Sequence, residues 1–158
     1  METNIEKYIE KSLPKKQKTQ VRLYNPDCMD FKRELRIKSI EATNEYTRID
    51  FIYRSSSVFI NGGWINMDAG AYIQPVDCNT KYGLIKAIEI PLAPKKHFFF
   101  RQGEIYPYTL IFPALPKNTY QINIIEKEAP GNYINFYGVD YSKWMTLPHA
   151  AELPITNN

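Results

Sequence analysis

The chain has 158 residues, 44% of them hydrophobic and 23% charged, a composition that fits one globular domain and excludes a globally disordered chain. Its formal charge of +3 is too small to specify a polyanionic partner, because nucleic-acid binding needs a clustered basic face. Twelve Tyr and eight Phe against seven Gly, with eleven Pro, favour pleated, half-buried strands and exclude long helices.

Residues 1–13 read as a short helix. Ile5, Ile9 and Leu13 fall at i, i+4 and i+8 beside Tyr8, with Thr3 or Asn4 as cap and Pro14 as stop. Such a helix is too short to stand alone in water, so it is expected to pack on the following domain or to fray. Lys15, Lys16 and Lys18, followed by Arg22, read as a solvated basic linker rather than a nucleic-acid surface.

From Gln20 onward the period becomes two. In residues 34–43, Leu35 and Ile37 alternate with Arg36 and Lys38. In residues 46–54, Ile49, Phe51 and Tyr53 alternate with Arg48, Asp50 and Arg54. Both patterns predict strands with one wet face, joined by a tight hairpin at Asn44 and Glu45. Ser55, Ser56 and Ser57 open a loop that ends on the turn signal Asn61-Gly62-Gly63.

Strands are predicted at 64–67 and 71–73 around a bend at 68–70, and again at 82–90, bounded by Pro91 and Pro94. Residues 95–104 read as a mixed loop holding His97 and Phe98-Phe99-Phe100. Further strands follow at 105–112, at 119–126, where Tyr120, Ile122 and Ile124 share a face, and at 132–139. The tail from 142, with Trp144, Pro148 and Pro154, is irregular.

No segment between these strands has the length of a crossover helix, which disfavours a parallel sheet. The expected fold is all-β: an antiparallel two-sheet sandwich over residues 20–141, with the helix and basic linker (1–19) before it and the tail (142–158) after it.

The chemistry-bearing residues are sparse. His97 and His149 lie beside no nucleophile elbow, and the serine run 55–57 has no such frame. Asp68, Asp77 and Glu89 are isolated, and the glycines form no phosphate cradle. Cys28 and Cys78 have no paired metal-ligand spacing. One disulfide between them is open to an exported chain, and two reduced core thiols are the equal alternative. The expectation is therefore a chain that is not an enzyme and needs no cofactor or metal. No run reaches the roughly 18 apolar residues of a membrane span, and residues 1–18 do not read as a signal peptide. With Met1 as native start the chain is expected in the cytoplasm; with a leader removed, it is exported or periplasmic.

Binding surfaces are the better prospect. In an extended Lys95-to-Arg101 run, alternate side chains point opposite ways, so at least one of the three Phe rings faces outward. Phe99 and Arg101 are the candidates there. Tyr106 and Tyr108 flank Pro107, which cannot donate to a ladder; they are candidates on an edge strand open to strand addition. Trp64 reads as a core or sheet-end residue.

From Trp64 to Val139 the order of motifs is distinctive. A Trp-Ile and a Tyr-Ile strand lead to Lys81-Tyr82-Gly83-Leu84 and Ile90-Pro91-Leu92. Gly103-Glu104 then precedes the run Tyr108-Thr109-Leu110-Ile111-Phe112-Pro113-Ala114-Leu115-Pro116-Lys117-Asn118-Thr119. An Ile-rich strand to Glu126 and Asn135-Phe136-Tyr137-Gly138-Val139 close the series. This half of the chain resembles a β-sandwich accessory domain of bacterial envelope proteins, sometimes found beside thioredoxin-like domains. The resemblance implies an immunoglobulin-like sandwich with a non-catalytic role, and it transfers no functional residues.

The leading expectation is a module that binds another protein or serves as a subunit of a larger bacterial assembly. A carbohydrate- or lipid-binding sandwich using exposed aromatics is the alternative. An enzyme is the third reading, and it needs His97 or His149 within reach of a carboxylate, Ser or Cys.

Overall fold

The computed structural model describes residues 35–140. The expected N-terminal helix, the basic linker, Cys28, Trp144, His149 and the tail from 142 lie outside the described residues. Within them the chain forms ten strands: β1 (Leu35–Ala42), β2 (Tyr46–Arg54), β3 (Trp64–Ile65), β4 (Tyr72–Pro75), β5 (Tyr82–Gly83), β6 (Lys86–Ile88), β7 (His97–Phe98), β8 (Ile105–Pro113), β9 (Gln121–Ile125) and β10 (Asn135–Asp140). The described chain is all-β, and every strand ladder is antiparallel.

The strands form a first sheet in the order β1-β2-β8-β6, a second in the order β10-β9-β4-β5, and a small ribbon of β3 and β7. β2 and β8 pair over nine consecutive positions, from Tyr46↔Pro113 to Arg54↔Ile105. The alternation along β2 is what holds this register: a slip by one residue would turn Ile49, Phe51 and Tyr53 out of the core. The β1–β2 turn is tied by the Thr43 hydroxyl, which accepts the Glu45 and Tyr46 N–H groups and donates to the Tyr46 carbonyl.

Strand β1 departs from simple alternation. Its register shifts between Ile37 and Ser39, so Leu35 and Ile37 before the bulge, and Ile40 and Ala42 after it, all reach the core. The stretch 82–90 departs further. It is two short strands in different sheets: the Leu84 N–H bonds Ala71 O at 2.8 Å, and the next N–H, of Ile85, bonds Ile111 O at 2.8 Å. The chain crosses from the second sheet to the first at that step.

The inner faces of both sheets supply one hydrophobic core. Ile49, Phe51, Leu110 and Phe112 come from the first sheet, and Ile73, Ile122, Phe136 and Val139 from the second. Each side chain of this size contributes about 1.5–3 kcal/mol when fully buried. On the opposite face of the first sheet, Asp50 joins three strands. It accepts from Ser39 Oγ (2.9 Å) on β1, Arg48 Nε (3.0 Å) on β2 and Thr109 Oγ1 (2.6 Å) on β8.

Glu126 closes the end of β9. Its carboxylate accepts the Ile134 N–H at 3.0 Å and the Asp68 N–H at 3.2 Å, pinning two loops to the second sheet. Burial pushes this carboxyl above its ordinary range, against the opposing pull of those two N–H groups. A carboxyl raised in the folded state favours folding when protonated. Its contribution is therefore fully present below the ordinary value of about 4.3 and is lost as pH rises through the folded-state value. The unfolding free energy of the native chain, relative to Glu126→Gln, should fall with rising pH across that window. Urea denaturation at a series of pH values measures it, and parallel profiles would contradict the assignment.

Candidate functional site

The β2–β8 ladder stops at Arg54↔Ile105, and there two loops leave side by side, residues 55–63 and 99–104. Ser55 is the joint between them. Its N–H bonds Glu104 O (2.9 Å), its carbonyl accepts the Gly103 N–H (3.1 Å), and its hydroxyl donates to Arg101 O (2.8 Å) while accepting the Glu104 N–H (2.8 Å). Gln102 reaches across, its Nε2 donating to Phe59 O at 2.9 Å and to Ser57 O at 3.2 Å. The β3–β7 ribbon continues the join through Trp64↔Phe98 and the Phe99 N–H to Gly63 O bond of 3.0 Å.

Glu104 shapes the second loop. Its carboxylate accepts the Phe100 N–H at 2.8 Å and the Arg101 N–H at 2.9 Å. The Phe100 and Arg101 N–H groups hold this carboxyl below its usual range. The grip on the turn is thus present above the ordinary glutamate value and is lost as pH falls through the lowered one.

Apolar side chains project from the same loops. Val58, Phe59 and Ile60 are consecutive and exposed, Ile60 by 84%. Phe98 is 61% exposed, Phe100 86%, and Trp64 and Ile105 are exposed beside them. Seven of the thirteen exposed large apolar residues among the described residues thus lie at this one end of the first sheet. Four cations, Arg54, Lys95, Lys96 and Arg101, are exposed on the same segments. Lys96 holds its ammonium 4.2 Å from the Trp64 ring centroid, a cation–π contact from a diagonal position across the ribbon. Glu104 is the one acidic residue in residues 55–64 and 95–104, and its carboxylate is engaged by the backbone.

The candidates from the sequence fall on both sides of this surface. Arg101 is exposed on it. Phe99 is 4% exposed and belongs to the core, because its neighbours Phe98 and Phe100 take the outward positions. Tyr108 is buried in the core against Phe51, with ring centroids 5.0 Å apart. Tyr106 is half-buried, donates its hydroxyl to Glu89 O, and stacks on His97 at 4.4 Å. Phe99 and Tyr108 as surface contacts are therefore corrected: alternation places both on the inner face. Pro107 lies on a strand with neighbours on both sides, although β6 pairs only with Thr109–Ile111 and leaves the Pro107 stretch laddered to β2 alone. Trp64, read from sequence as a core or sheet-end residue, is exposed because its strand neighbour Ile65 takes the inward position in the core.

Sequence reasoning passed over Val58, Phe59 and Ile60. Three apolar residues between a serine run and Asn61-Gly62-Gly63 were the available signal: a loop with turn residues on both sides has no strand in which to bury them.

His97 is held by rings, 5.0 Å from Phe99 edge-on and stacked on Tyr106. The Thr80 side chain, and with it the Thr80 N–H at 3.3 Å, hydrogen-bonds Cys78 and lowers its thiol below the ordinary range; Cys28, its proposed disulfide partner, lies outside the described residues. Among the described residues no group of three or more His, Cys, Asp or Glu could hold a metal ion. Nor does any helix there have the length and apolarity to cross a membrane.

No protein-family model, curated protein or solved structure matches this chain.

Gly62 decides how closely the loops approach. Its φ is +86°, and a Cβ there would lie 2.4 Å from Arg101 O and 2.9 Å from Ser55 Oγ. Gly62→Ala must shift backbone as well as adopt a left-handed conformation, which alone costs about 1–2 kcal/mol. The variant should lose at least about 2 kcal/mol of stability by chemical denaturation, with the end disordered first. A change below about 0.5 kcal/mol would show that the loops are not in contact.

Proposed function

We propose that the chain is a non-catalytic, immunoglobulin-like sandwich of two sheets that serves as one subunit of a larger bacterial assembly, and that its aromatic end is a surface of attachment. One observation carries this reading: seven large apolar side chains are exposed on two neighbouring loops and the strand ends beside them, and hydrogen bonds of Ser55, Gln102 and Glu104 tie those loops together. Apolar residues scattered singly over a surface need no explanation, whereas a contiguous patch marks a place of contact. Folding would not gain from leaving these rings in water, and the hydrogen bonds of Ser55, Gln102 and Glu104 keep them from collapsing inward.

The arrangement of the other groups supports the same reading. Half-buried His97 packs against its aromatic neighbours, one oxygen of Glu104 accepts two backbone N–H groups, and each oxygen of Glu126 accepts one. These contacts give the three groups structural roles, which supports the non-catalytic reading. The exposed end combines aromatic rings with cations, the residue classes that anchor interfaces.

The test compares the native chain with a Phe59→Ser, Phe100→Ser double variant, each immobilised and exposed to a whole-cell extract with its membranes. Both rings are exposed, so the variant should keep its unfolding free energy within about 0.5 kcal/mol. Removing two anchors of at least about 1 kcal/mol each should cut retention of a specific component by tenfold or more. Equal retention by both proteins would overturn the proposal.

A further inference from the structure

We infer that the aromatic end attaches to the surface of an anionic lipid bilayer; the inference rests on the attachment reading above and names its occupant. The apex supplies apolar surface without directional chemistry. Val58, Phe59, Ile60, Phe98 and Phe100 carry no side-chain donor or acceptor, and none of the twelve Tyr falls within residues 55–64 or 95–104. A protein interface carries about one hydrogen bond per 100–200 Å², and these five side chains can form none. The boundary between headgroups and acyl chains instead accepts any apolar group that reaches about 5–10 Å into it.

The charge fits the same occupant. Exposed Lys95, Lys96 and Arg101 flank the apex, and the one carboxylate in these loops is turned onto the Phe100 and Arg101 N–H groups. Lys96 lies over Trp64, so a cation and an indole sit together, as they do where aromatic belts and basic residues meet a membrane surface. The braced loops matter energetically. Because the apolar residues are already projected, no ordering of a flexible segment has to accompany insertion.

Co-sedimentation of the full chain with vesicles tests this. Phosphatidylserine-containing phosphatidylcholine vesicles should pellet the native chain, and phosphatidylcholine alone should pellet several-fold less. Raising salt from about 0.1 M to 1 M, which shortens the screening length from roughly 10 to 3 Å, should reduce binding several-fold. Phe59→Ser, Phe100→Ser should weaken binding to both vesicles by about tenfold or more. Lys96→Gln, Arg101→Gln should remove most of the preference for phosphatidylserine. A native chain that stays in the supernatant, or variants that bind as it does, would overturn the bilayer as occupant. Should the native chain ignore vesicles yet retain a soluble component that the Phe variant loses, the occupant is a protein and the attachment reading stands. Where the Phe variant loses nothing in either experiment, both readings fall.

Discussion

The uninterrupted pairing of β2 with β8 is the constraint on which the rest of this structure depends. Nine consecutive antiparallel pairs fix the phase of both strands at once. Ile49, Phe51 and Tyr53 face the main core with Leu110, Tyr108 and Tyr106, while Arg48, Asp50 and Thr109 lie on the opposite face, where Ile111 and Tyr46 form a second small buried cluster. Because one face is apolar and the other carries the Asp50 network, neither strand can slip without burying charge and exposing rings.

The same ladder sets where the exposed end lies. It stops at Arg54↔Ile105, so the loops that follow β2 and precede β8 must begin a strand spacing apart. Ser55, Gly62 and Glu104 then convert proximity into a fixed shape through bonds made almost wholly to backbone. A chain of rings runs from the core toward this end: Phe136, Phe51, Tyr108, Tyr106 and Phe99, with successive centroids between 5.0 and 6.4 Å apart. Packing at the exposed end is thus continuous with that of the interior.

Much of the strand pattern was legible because alternation is a local signal. Residues 46–54 show it cleanly, and the observed strand has those bounds. The signal failed where the chain broke period. In β1 the bulge after Ile37 reverses the phase, so Ile40 and Ala42 face the core where strict alternation would have turned Ser39 and Glu41 inward. At residues 82–90 an apolar run conceals a change of sheet, which depends on two backbone bonds to distant strands. The candidate site was half legible. Alternation showed that some ring in Phe98-Phe99-Phe100 must face outward, but three identical residues carry no phase information, and Phe99 proved to be the inward one. The phase is set by the pairing of Trp64 with Phe98, a contact between residues far apart in the chain.

Hydrogen exchange at the loop amides tests the central claim, that an apolar exterior is held outward by a rigid polar scaffold. Ser55, Ser56, Phe99, Phe100, Arg101 and Gly103 all donate their N–H groups within the end. Their exchange should be slowed well below that of an unstructured peptide, with Ser55 and Phe99 slowed as strongly as amides in the strands. Exchange of these amides at unprotected rates would mean that the loops are loose and the rings free to fold back, and the account of this end as a preformed surface would be wrong.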